Sequence, residues 1–448
     1  MKGKRLSAVL MALLFCGGCS TSNPPETAPL QITANIPETD SVQTETDADV
    51  FSPVRNAPQT NDELFTYIIT LWQAGDVHLL YPYAADSLQA LMAPEDFTGL
   101  FTNLSRIGGD LLEVSEPEIS EEGVYTALLT FTHIRVQLSV TLQDVRIHSF
   151  LRDISFTEPF TVSHDSGVSE QYFILESDGL PLNAVYTYAD DGAAHPAVLL
   201  IAGSGPADYN GTVGVLTPLA DIALGLAEAG ISSLRLDKRT LQHADTLGET
   251  GGLEEEYFRD CRRALAWLSE RSPAGIYLLG HSLGGQIAAS LAAEEAAPAG
   301  MILLCSTARH IADVFCDQYT AVDPAGETAY TRYAQAAKTF DTDSASELYY
   351  YGVNGYYWAS YNRLDTVSSI REANIPTLIV NTDTDNNLFP ADLLLWQESF
   401  GDSETVTITV LENLSHFGYA VDTRDPAAIY RETAFPQELI RVFTDFIP

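Results

Sequence analysis

The sequence predicts an α/β fold in which a mostly parallel sheet carries helices on both faces. From Val168 onward, short apolar runs alternate with helical patterns. The runs at 197–201 and 276–279 are apolar throughout, which is typical of strands buried on both faces. The second run leads into Gly-His-Ser-Leu-Gly at 280–284 and then into an Ala-rich helical pattern. That order indicates a strand, a sharp turn with Ser282 at its apex, and a helix.

The remaining elements of this region follow in a regular order. An opening hairpin is predicted to turn at residues 177–179. The other predicted elements are strands at 197–201, 233–236, 276–279, 301–304, 377–380 and 406–411, and helices at 219–229, 254–270, after 282 and after 436. Ligands of such sheets bind beyond the carboxyl ends of the strands, where Ser282 is expected.

A separate, smaller α+β domain is predicted at residues 60–165. Apolar spacing of three and four indicates helices from Asn61, around 88–92 and from Pro94. Asn61 and Asp62 are candidates for the first helix cap. The period then changes to two, and the predicted strands are at 124–131 and 136–142.

The beginning of the chain predicts export and a membrane anchor. A basic start, a short apolar run and small residues before Cys19 are typical of a signal peptide at 1–18. The ending resembles a bacterial lipoprotein cleavage site with Cys19 as the lipidated residue, although Cys16 stands where such sites usually carry Leu. The polar composition of 19–59 predicts a disordered tether. We expect an extracytoplasmic, lipid-anchored protein; the alternative is an ordinary secreted protein cut nearby.

Charge and cysteine content narrow the class of protein. The chain has 23 Lys and Arg against 61 Asp and Glu, a net charge of −38. Such a surface repels phosphate backbones, so we expect no nucleic-acid partner. Beyond Cys19 the cysteines are Cys261, Cys305 and Cys316, and their spacing predicts neither a metal site nor a disulfide framework. Cys261 and Cys305 are expected in the core, and the sequence implies no cofactor.

A serine hydroxyl becomes nucleophilic when a base removes its proton and a carboxylate orients that base. In a strand–turn–helix unit of this kind the chain order is serine, acid, histidine. Two histidines follow Ser282, and the base belongs on the loop after the last strand, so His416 is predicted rather than His310. The acid follows the strand at 377–380, where Asp383 and Asp385 compete.

An oxyanion formed at the substrate carbonyl needs two backbone N–H donors. One is expected from Leu283, directly after the nucleophile. The Gly-rich turn at 202–208 supplies the other, and Ser204 is the predicted donor. The turn could also cradle a phosphate, but it contains no lysine and no nucleotide motif follows it.

Four segments together resemble the α/β-hydrolase family of exported esterases related to serine aminopeptidases and dienelactone hydrolases, over about residues 168–448. They are Gly203-Ser-Gly-Pro-Ala-Asp208, Leu236-Asp-Lys-Arg239, Gly280-His-Ser-Leu-Gly284 and Asn413-Leu-Ser-His416. The resemblance implies an α/β-hydrolase domain at 166–448 and carboxylester hydrolysis through an acyl-enzyme. It also implies that Asp237 and Arg239 form a structural charged pair; Thr240 stands where the family often has glycine.

The resemblance also bears on the acid. Related enzymes read Gly-x-x-Asp before a Val-Pro-like segment, and Asp385 has this register ahead of Leu388-Phe-Pro390, with Thr382 in place of the glycine. Asp385 is therefore predicted, with Asp383 as the alternative. The first domain resembles small cystatin-like or nuclear-transport-factor-like domains that precede exported hydrolases. We expect it to bind a ligand or partner, or to support the hydrolase.

Residues 309–373 form an insert where this fold carries a helical lid. Its aromatic residues, among them Tyr349 to Tyr351 and Tyr356 to Trp358, are expected either to line an acyl or aromatic pocket or to pack the lid onto the body. Its acids Asp313, Asp317 and Asp323 would hold a substrate amine in an aminopeptidase.

The sequence thus predicts a membrane-anchored serine carboxylesterase acting on a small-molecule ester or acyl substrate. Two alternatives stay open. One is a serine aminopeptidase or acyltransferase on the same fold, and the other is a non-catalytic surface binding protein.

Overall fold

The computed structural model describes residues 57–90, 92–247, 250–271, 274–294, 298–341, 343–344, 348–421 and 435–448. The predicted signal peptide, Cys19 and the tether up to residue 56 lie outside the described residues. Within the described ranges, no helix has the length and apolar character needed to cross a membrane.

The elements are numbered in chain order. The α-helices are α1 Asn61–Ala74, α2 Asp86–Gln89, α3 Pro94–Gly108, α4 Pro218–Glu228, α5 Arg239–Gln242, α6 Arg259–Ser269, α7 Leu283–Ala292, α8 Ile311–Val322, α9 Glu327–Ala337, α10 Gly355–Tyr361, α11 Thr366–Ala373, α12 Pro390–Phe400 and α13 Gln437–Phe446. The strands are β1 Leu111–Val114, β2 Glu118–Ile119, β3 Val124–Phe131, β4 Ile134–Gln143, β5 Arg146–Phe156, β6 Phe160–Ser163, β7 Val168–Ser177, β8 Leu180–Ala189, β9 Ala197–Ile201, β10 Ser232–Leu236, β11 Ile276–His281, β12 Gly300–Leu304, β13 Tyr349–Tyr350, β14 Val353–Asn354, β15 Thr377–Thr382 and β16 Val406–Leu411.

The first unit packs helices on an antiparallel sheet of order β1-β3-β4-β5, with β2 beside β3. The predicted cap of α1 is off by one residue, because Thr60 accepts the Glu63 N–H at 3.2 Å. Asn61 instead ties the helix to the sheet, donating to the Leu142 carbonyl and accepting the Val145 N–H. The alternating burial of β4 then points every second side chain at the helices.

The second unit is a nine-stranded sheet of order β16-β15-β12-β11-β9-β10-β8-β7-β6. Strands β10, β9, β11, β12, β15 and β16 pair in parallel, and β8, β7 and β6 add an antiparallel edge. Every residue of β9 and β12 is buried, since helices cover both faces. This confirms the predicted fold class. The sheet includes Phe160–Ser163, which the sequence assigns to the first domain.

A two-residue turn joins β7 to β8 as predicted. Asp178 and Gly179 both have positive φ, 51° and 76°, which is the conformation of the tight hairpin turn that matches strand twist. The two sheets meet along β8. Asn183 donates to the Ile154 carbonyl at 2.6 Å and accepts the Phe156 N–H at 3.1 Å, so one amide side chain pairs with two backbone groups of β5.

The insert connects β12 to its sheet neighbour β15 and contains α8, α9, the β13–β14 hairpin, α10 and α11. It begins at the carboxyl end of β12, on the same edge of the sheet as Ser282. The insert therefore covers the edge at which ligands of parallel sheets bind.

Candidate active site

The predicted strand–turn–helix unit is present. Strand β11 ends at His281 and α7 starts at Leu283, and Ser282 between them has φ 55° and ψ −123°. A residue with a Cβ rarely adopts these angles, and they lift the side chain out of the turn. A Cβ at Gly280 would lie 2.1 Å from the Gly284 carbonyl oxygen, and one at Gly284 would lie 2.3 Å from that of Ile201. Glycine is therefore required on both sides of the turn.

Asp385 and His416 meet in the interior. The Asp385 Oδ2 lies 2.8 Å from His416 Nδ1, and both side chains are almost fully buried. Asp385 Oδ1 accepts the N–H groups of Asn387 and Leu388 at 2.7 and 3.0 Å. Burial acts to raise the pKa of Asp385, but His416 and these two N–H groups outweigh it and hold the pKa below its usual value. The carboxylate is thus ionised, and Nδ1 of His416 carries the proton.

The two competing residues lie elsewhere. Asp383 is exposed and accepts the N–H of Asn413 at 2.7 Å, so it braces the loop that carries His416. His310 caps α8 by accepting the Ala312 N–H, and its other nitrogen contacts Asn362. The structure thus brings Asp385, rather than Asp383, to His416, and gives His310 a structural position in the insert.

His281 supports the loop of His416. Its Nε2 lies 2.8 Å from the His416 carbonyl oxygen, and because a carbonyl can only accept, Nε2 must carry the hydrogen. Burial, together with the neighbouring His416, lowers the pKa of His281 to about 3. The imidazole is therefore neutral, and it acts as a hydrogen-bond donor from the turn to the loop after β16.

The Gly-rich turn at 202–208, here called the oxyanion loop, lies against Ser282. A Cβ at Gly203 would stand 3.2 Å from the Cβ of Ser282. Ser204 and Leu283, the predicted N–H donors, line the same cavity as Ser282. Leu283 is the first residue of α7, where N–H groups have no partner within the helix and the helix dipole favours negative charge.

This catalytic cavity, of about 170 Å³, is lined by Ser282, His416, the oxyanion loop and apolar side chains that include Val314 and Phe315 of α8. A second cavity of about 280 Å³ continues under the insert and shares Ser204 and Leu283 with the first. Both predicted N–H donors therefore lie where the two cavities meet. An ester carbonyl placed there would have room on either side for its acyl and alcohol parts.

The insert's aromatic residues serve both expected purposes. Tyr349, Tyr357 and Trp358 line the second cavity. Tyr351 and Tyr361 are buried instead, and the Tyr361 hydroxyl donates to Gln286 of α7 at 2.6 Å. The insert is thus fixed to α7, the helix that follows Ser282, by the same aromatic cluster that shapes the pocket.

Cys305 lies directly after β12, lines the catalytic cavity and forms a cluster of potential metal ligands with Asp385 and His416. Burial, with the nearby Asp385, raises the pKa of the Cys305 thiol well above its usual value, so the sulfur stays protonated. Asp385 and His416 are hydrogen-bonded to each other, and this pair is arranged for proton transfer. Cys261 and Cys305 are buried, as expected.

Asp237 and Arg239 do not form the expected pair, which corrects that prediction. Asp237 accepts the Tyr209 N–H at 2.7 Å and the amide of Asn183 at 2.7 Å. Arg239 pairs with Asp260 at 2.5 Å. Arg239 is already the first residue of α5, whereas Asp237 lies in the segment between β10 and that helix, and each side chain has its own buried partner.

Between them, Lys238 contacts the oxyanion loop, with Glu256 and Tyr257 beside it. Sequence reasoning missed these three residues. The signal that could have found them is Lys238 itself, in the segment Leu236-Asp-Lys-Arg239. A lysine two residues after a buried strand, at the carboxyl edge of the sheet that also carries Ser282, indicates a site residue.

Comparison with known proteins agrees with the fold. The model of the alpha/beta hydrolase family matches residues 198–432. Esterase EstD of Thermotoga maritima is 25% identical over 345 residues, which are 74% of this chain and 82% of EstD. Est1E of Butyrivibrio proteoclasticus, solved with ferulic acid, is 16% identical with a TM-score of 0.42, covering 61% of this chain and 98% of its own. A cold-adapted esterase from an Arctic intertidal metagenomic library is also 16% identical, with a TM-score of 0.40, and covers 64% of this chain and 97% of its own. Because the family model spans more than half of the sequence, the chain belongs to the alpha/beta hydrolase family.

Proposed function

We propose that this protein is a serine carboxylesterase that works through an acyl-enzyme, with Ser282 as nucleophile, His416 as general base and acid, and Asp385 as the orienting carboxylate. One observation carries the proposal. A strained serine lines the same cavity as a buried histidine whose Nδ1 is bound to an ionised aspartate. The name of the relative EstD supports the same reaction class.

The protonation states set the direction of proton transfer. With Nδ1–H donated to Asp385, the Nε2 of His416 is the basic nitrogen that takes the Ser282 proton as Oγ attacks the ester carbon. The carbonyl oxygen becomes an oxyanion held by the N–H groups of Leu283 and Ser204. His416 then returns the proton to the departing alcohol, which leaves an acyl group on Ser282. Water repeats the sequence and releases the acid.

The cavities suit a small ester with an apolar part. The catalytic cavity is lined by Val314, Phe315 and Leu219, and the second cavity by aromatic side chains of the insert. Apolar contact with these walls would order an acyl or alcohol group without any charged recognition.

Fluorophosphonate labelling of the full chain tests the proposal, with Ser282→Ala as the variant and Ser290→Ala on the same helix as the matched control. We expect labelling and hydrolysis of short p-nitrophenyl esters in the parent and in Ser290→Ala. Neither reaction should survive in Ser282→Ala, whose folding, followed by circular dichroism, should be unchanged. Equal ester turnover in Ser282→Ala would overturn the assignment, and an unreactive parent would favour a non-catalytic binding protein.

The aminopeptidase alternative finds no support among the described residues of the insert. The three acids proposed to hold a substrate amine are engaged by other groups: Asp313 by Lys338 at 2.5 Å, Asp317 by Arg309 at 2.7 Å and Asp323 by the Tyr330 hydroxyl at 2.8 Å. Turnover of aminoacyl p-nitroanilides at rates close to those of the matching esters would reverse this preference.

We also propose that the protein is exported and anchored to the cell membrane through lipid on Cys19. Support comes from the basic start, the apolar run and the Gly-Gly-Cys sequence. The protein made in a bacterial host should partition into the detergent phase of Triton X-114, and Cys19→Ala should move it to the aqueous phase. Equal partitioning of the two forms would contradict lipidation.

A further inference from the structure

We propose that Lys238 is a positioning residue for the oxyanion hole, acting with Glu256 and Tyr257 on the backbone of the oxyanion loop. The inference rests on the proposed function, because it takes the Ser204 N–H as an oxyanion donor. None of the three side chains is assigned to touch the substrate ester. Their role is to fix which way the Ser204 N–H faces.

Lys238 holds the loop at two points. Its Nζ donates to the carbonyl oxygens of Gly203 at 3.0 Å and Gly205 at 2.7 Å, and its third hydrogen goes to the Glu256 carboxylate at 2.5 Å. An ammonium has three donors, so this set satisfies all of them. The Lys238 and Glu256 side chains are each only 6% exposed, and the ion pair is therefore little weakened by solvent.

Tyr257 donates a second hydrogen bond to the Gly203 carbonyl. Its hydroxyl donates to the Gly203 oxygen at 2.5 Å, and its ring lies under the Lys238 ammonium, 3.9 Å from nitrogen to ring centre. Two donors on the Gly203 oxygen use both of its lone pairs. The direction of this carbonyl is thus set by two buried side chains from outside the loop.

The peptide plane transmits that direction to the catalytic cavity. The Gly203 carbonyl and the Ser204 N–H belong to one peptide unit, and the described chain contains no cis peptide bond. In a trans peptide the C=O and N–H point to opposite sides. Holding the carbonyl toward Lys238 and Tyr257 therefore turns the Ser204 N–H away from them. Gly203 packs against Ser282, and Ser204 lines the cavity.

The second held carbonyl belongs to Gly205, whose peptide unit continues into Pro206. Proline has no N–H, so this bond orients no donor. It prevents the loop from rotating about Ser204, because the carbonyls on both sides of that residue end on the same ammonium.

Glu256 and Tyr257 are adjacent in the π-helical turn Glu254–Phe258 that precedes α6. This widened turn presents both side chains to Lys238, an arrangement that is common at functional sites. The insert contacts the same stretch, since the Leu253 N–H donates to the Ser360 hydroxyl at 2.9 Å. The residues that fix the oxyanion loop, Lys238, Glu256 and Tyr257, therefore lie outside the insert, and the insert contacts the segment that carries two of them.

The chain offers a matched control one residue away. Arg239 forms an equally short, equally buried ion pair with Asp260, also at 2.5 Å. That pair binds the Ser177 hydroxyl and, among the described residues, makes no hydrogen bond to the oxyanion loop. Removing either pair deletes one buried ion pair, but only the Lys238 pair orients the proposed oxyanion donor.

The experiment compares Lys238→Met/Glu256→Gln with Arg239→Met/Asp260→Asn in the full chain. Both double variants avoid leaving one buried charge unpaired, which would itself be strongly destabilising. Tyr257→Phe is a third variant that keeps the Lys238 ion pair and deletes one hydrogen bond. For each variant we would measure kcat and KM for p-nitrophenyl acetate, the rate constant of fluorophosphonate inactivation and the midpoint of thermal unfolding.

We expect Lys238→Met/Glu256→Gln to lower kcat about 100-fold, the loss typical of one oxyanion donor, with KM changed less than about 3-fold. Fluorophosphonate inactivation should slow in parallel, because its phosphoryl oxygen uses the same N–H groups. Tyr257→Phe should lower kcat about 10-fold. Arg239→Met/Asp260→Asn should keep kcat within about 3-fold of the parent. This should hold even if its unfolding midpoint falls as much as that of Lys238→Met/Glu256→Gln.

Equal losses of kcat in the two double variants, or a Tyr257→Phe variant with normal kcat, would overturn the assignment while leaving the proposed function in place. A parent that neither hydrolyses esters nor reacts with fluorophosphonate would overturn the proposed function, and this inference with it.

Discussion

The two units of the molecule differ in what they bury. Among the described residues from 57 to 168, every buried side chain is apolar or aromatic. All the buried polar and charged side chains of the described chain lie at Ser169 or later, in the unit with the parallel sheet. The first unit therefore has a core that hydrophobic burial alone explains, whereas the second contains carboxylates, amides, histidines and cations away from water.

Buried polar and charged side chains distinguish the unit that contains the candidate active site. A buried polar group costs free energy unless it is fully paired, and a buried charge costs more. The second unit buries many such groups at the carboxyl edge of its sheet, among them Asp385, His416 and the Lys238–Glu256 pair. Apolar residues would fill those positions with less cost. The proposed catalytic role of Asp385 and His416 accounts for their burial at this edge.

The largest expected effect separates Asp385 from its neighbour Asp383. Asp385→Asn removes the carboxylate that fixes the His416 tautomer, and kcat for ester hydrolysis should fall by about 10⁴-fold. Asp383→Asn, at an exposed side chain, should stay within about 3-fold. Steady-state kinetics of the two variants measure this difference. Comparable losses in both would break the distinction between buried and exposed carboxylates.

A substitution in the first unit should show the opposite profile. Phe101 is fully buried and packs against Trp72 and Phe150, with ring centres 5.0 and 4.7 Å away. Phe101→Ala should lower the free energy of unfolding by about 3–5 kcal/mol through the cavity it leaves. In urea titrations, Leu112→Ala, at a side chain 65% exposed, should change it by less than about 0.5 kcal/mol. The folded Phe101→Ala enzyme should keep the parent kcat; a large loss of kcat would mean that the first unit shapes the active site.

Local patterns were enough to predict the fold. Strands β9 and β16 begin and end at the predicted residues, 197–201 and 406–411. Helix 254–270 was expected as one α-helix, but its first turn is π-helical. The wider turn points Glu256 and Tyr257 at Lys238, and such a tertiary requirement leaves no trace in the spacing of apolar residues.

The candidate site was predictable where chain order restricts the choice. Ser282 and His416 follow from the strand–turn–helix unit and the last strand, and the structure brings Asp385 to His416. The partners of Asp237 and Arg239 were not predictable. Asn183 and Asp260 come from distant segments that only the folded sheet brings together.

The smallest expected effect concerns His281, which is buried beside His416 and Asp385. Its pKa in the folded protein is lowered to about 3 from an ordinary value of 6.5, with burial as the main cause. The unfolded chain therefore binds a proton near pH 6.5 that the folded protein accepts only near pH 3. The neutral imidazole favours the folded state fully above pH 6.5, and this stability is lost as the pH falls toward 3.

Between pH 6.5 and about pH 5 the loss from this one group is about 2 kcal/mol, at 1.36 kcal/mol per pH unit. His281→Gln keeps a donor for the His416 carbonyl but does not titrate, so its free energy of unfolding should fall by about 2 kcal/mol less than that of the parent over the same range. Urea titrations of both proteins at the two pH values measure the difference. The carboxylates with lowered pKa, Asp385 and Glu170, lose their stabilising ionisation only at lower pH, so they do not contribute in this window. Parallel pH profiles for parent and variant would show that His281 is protonated in the folded protein. The buried polar edge would then tolerate a cation beside His416, and the distinction drawn between the two units would lose its physical basis.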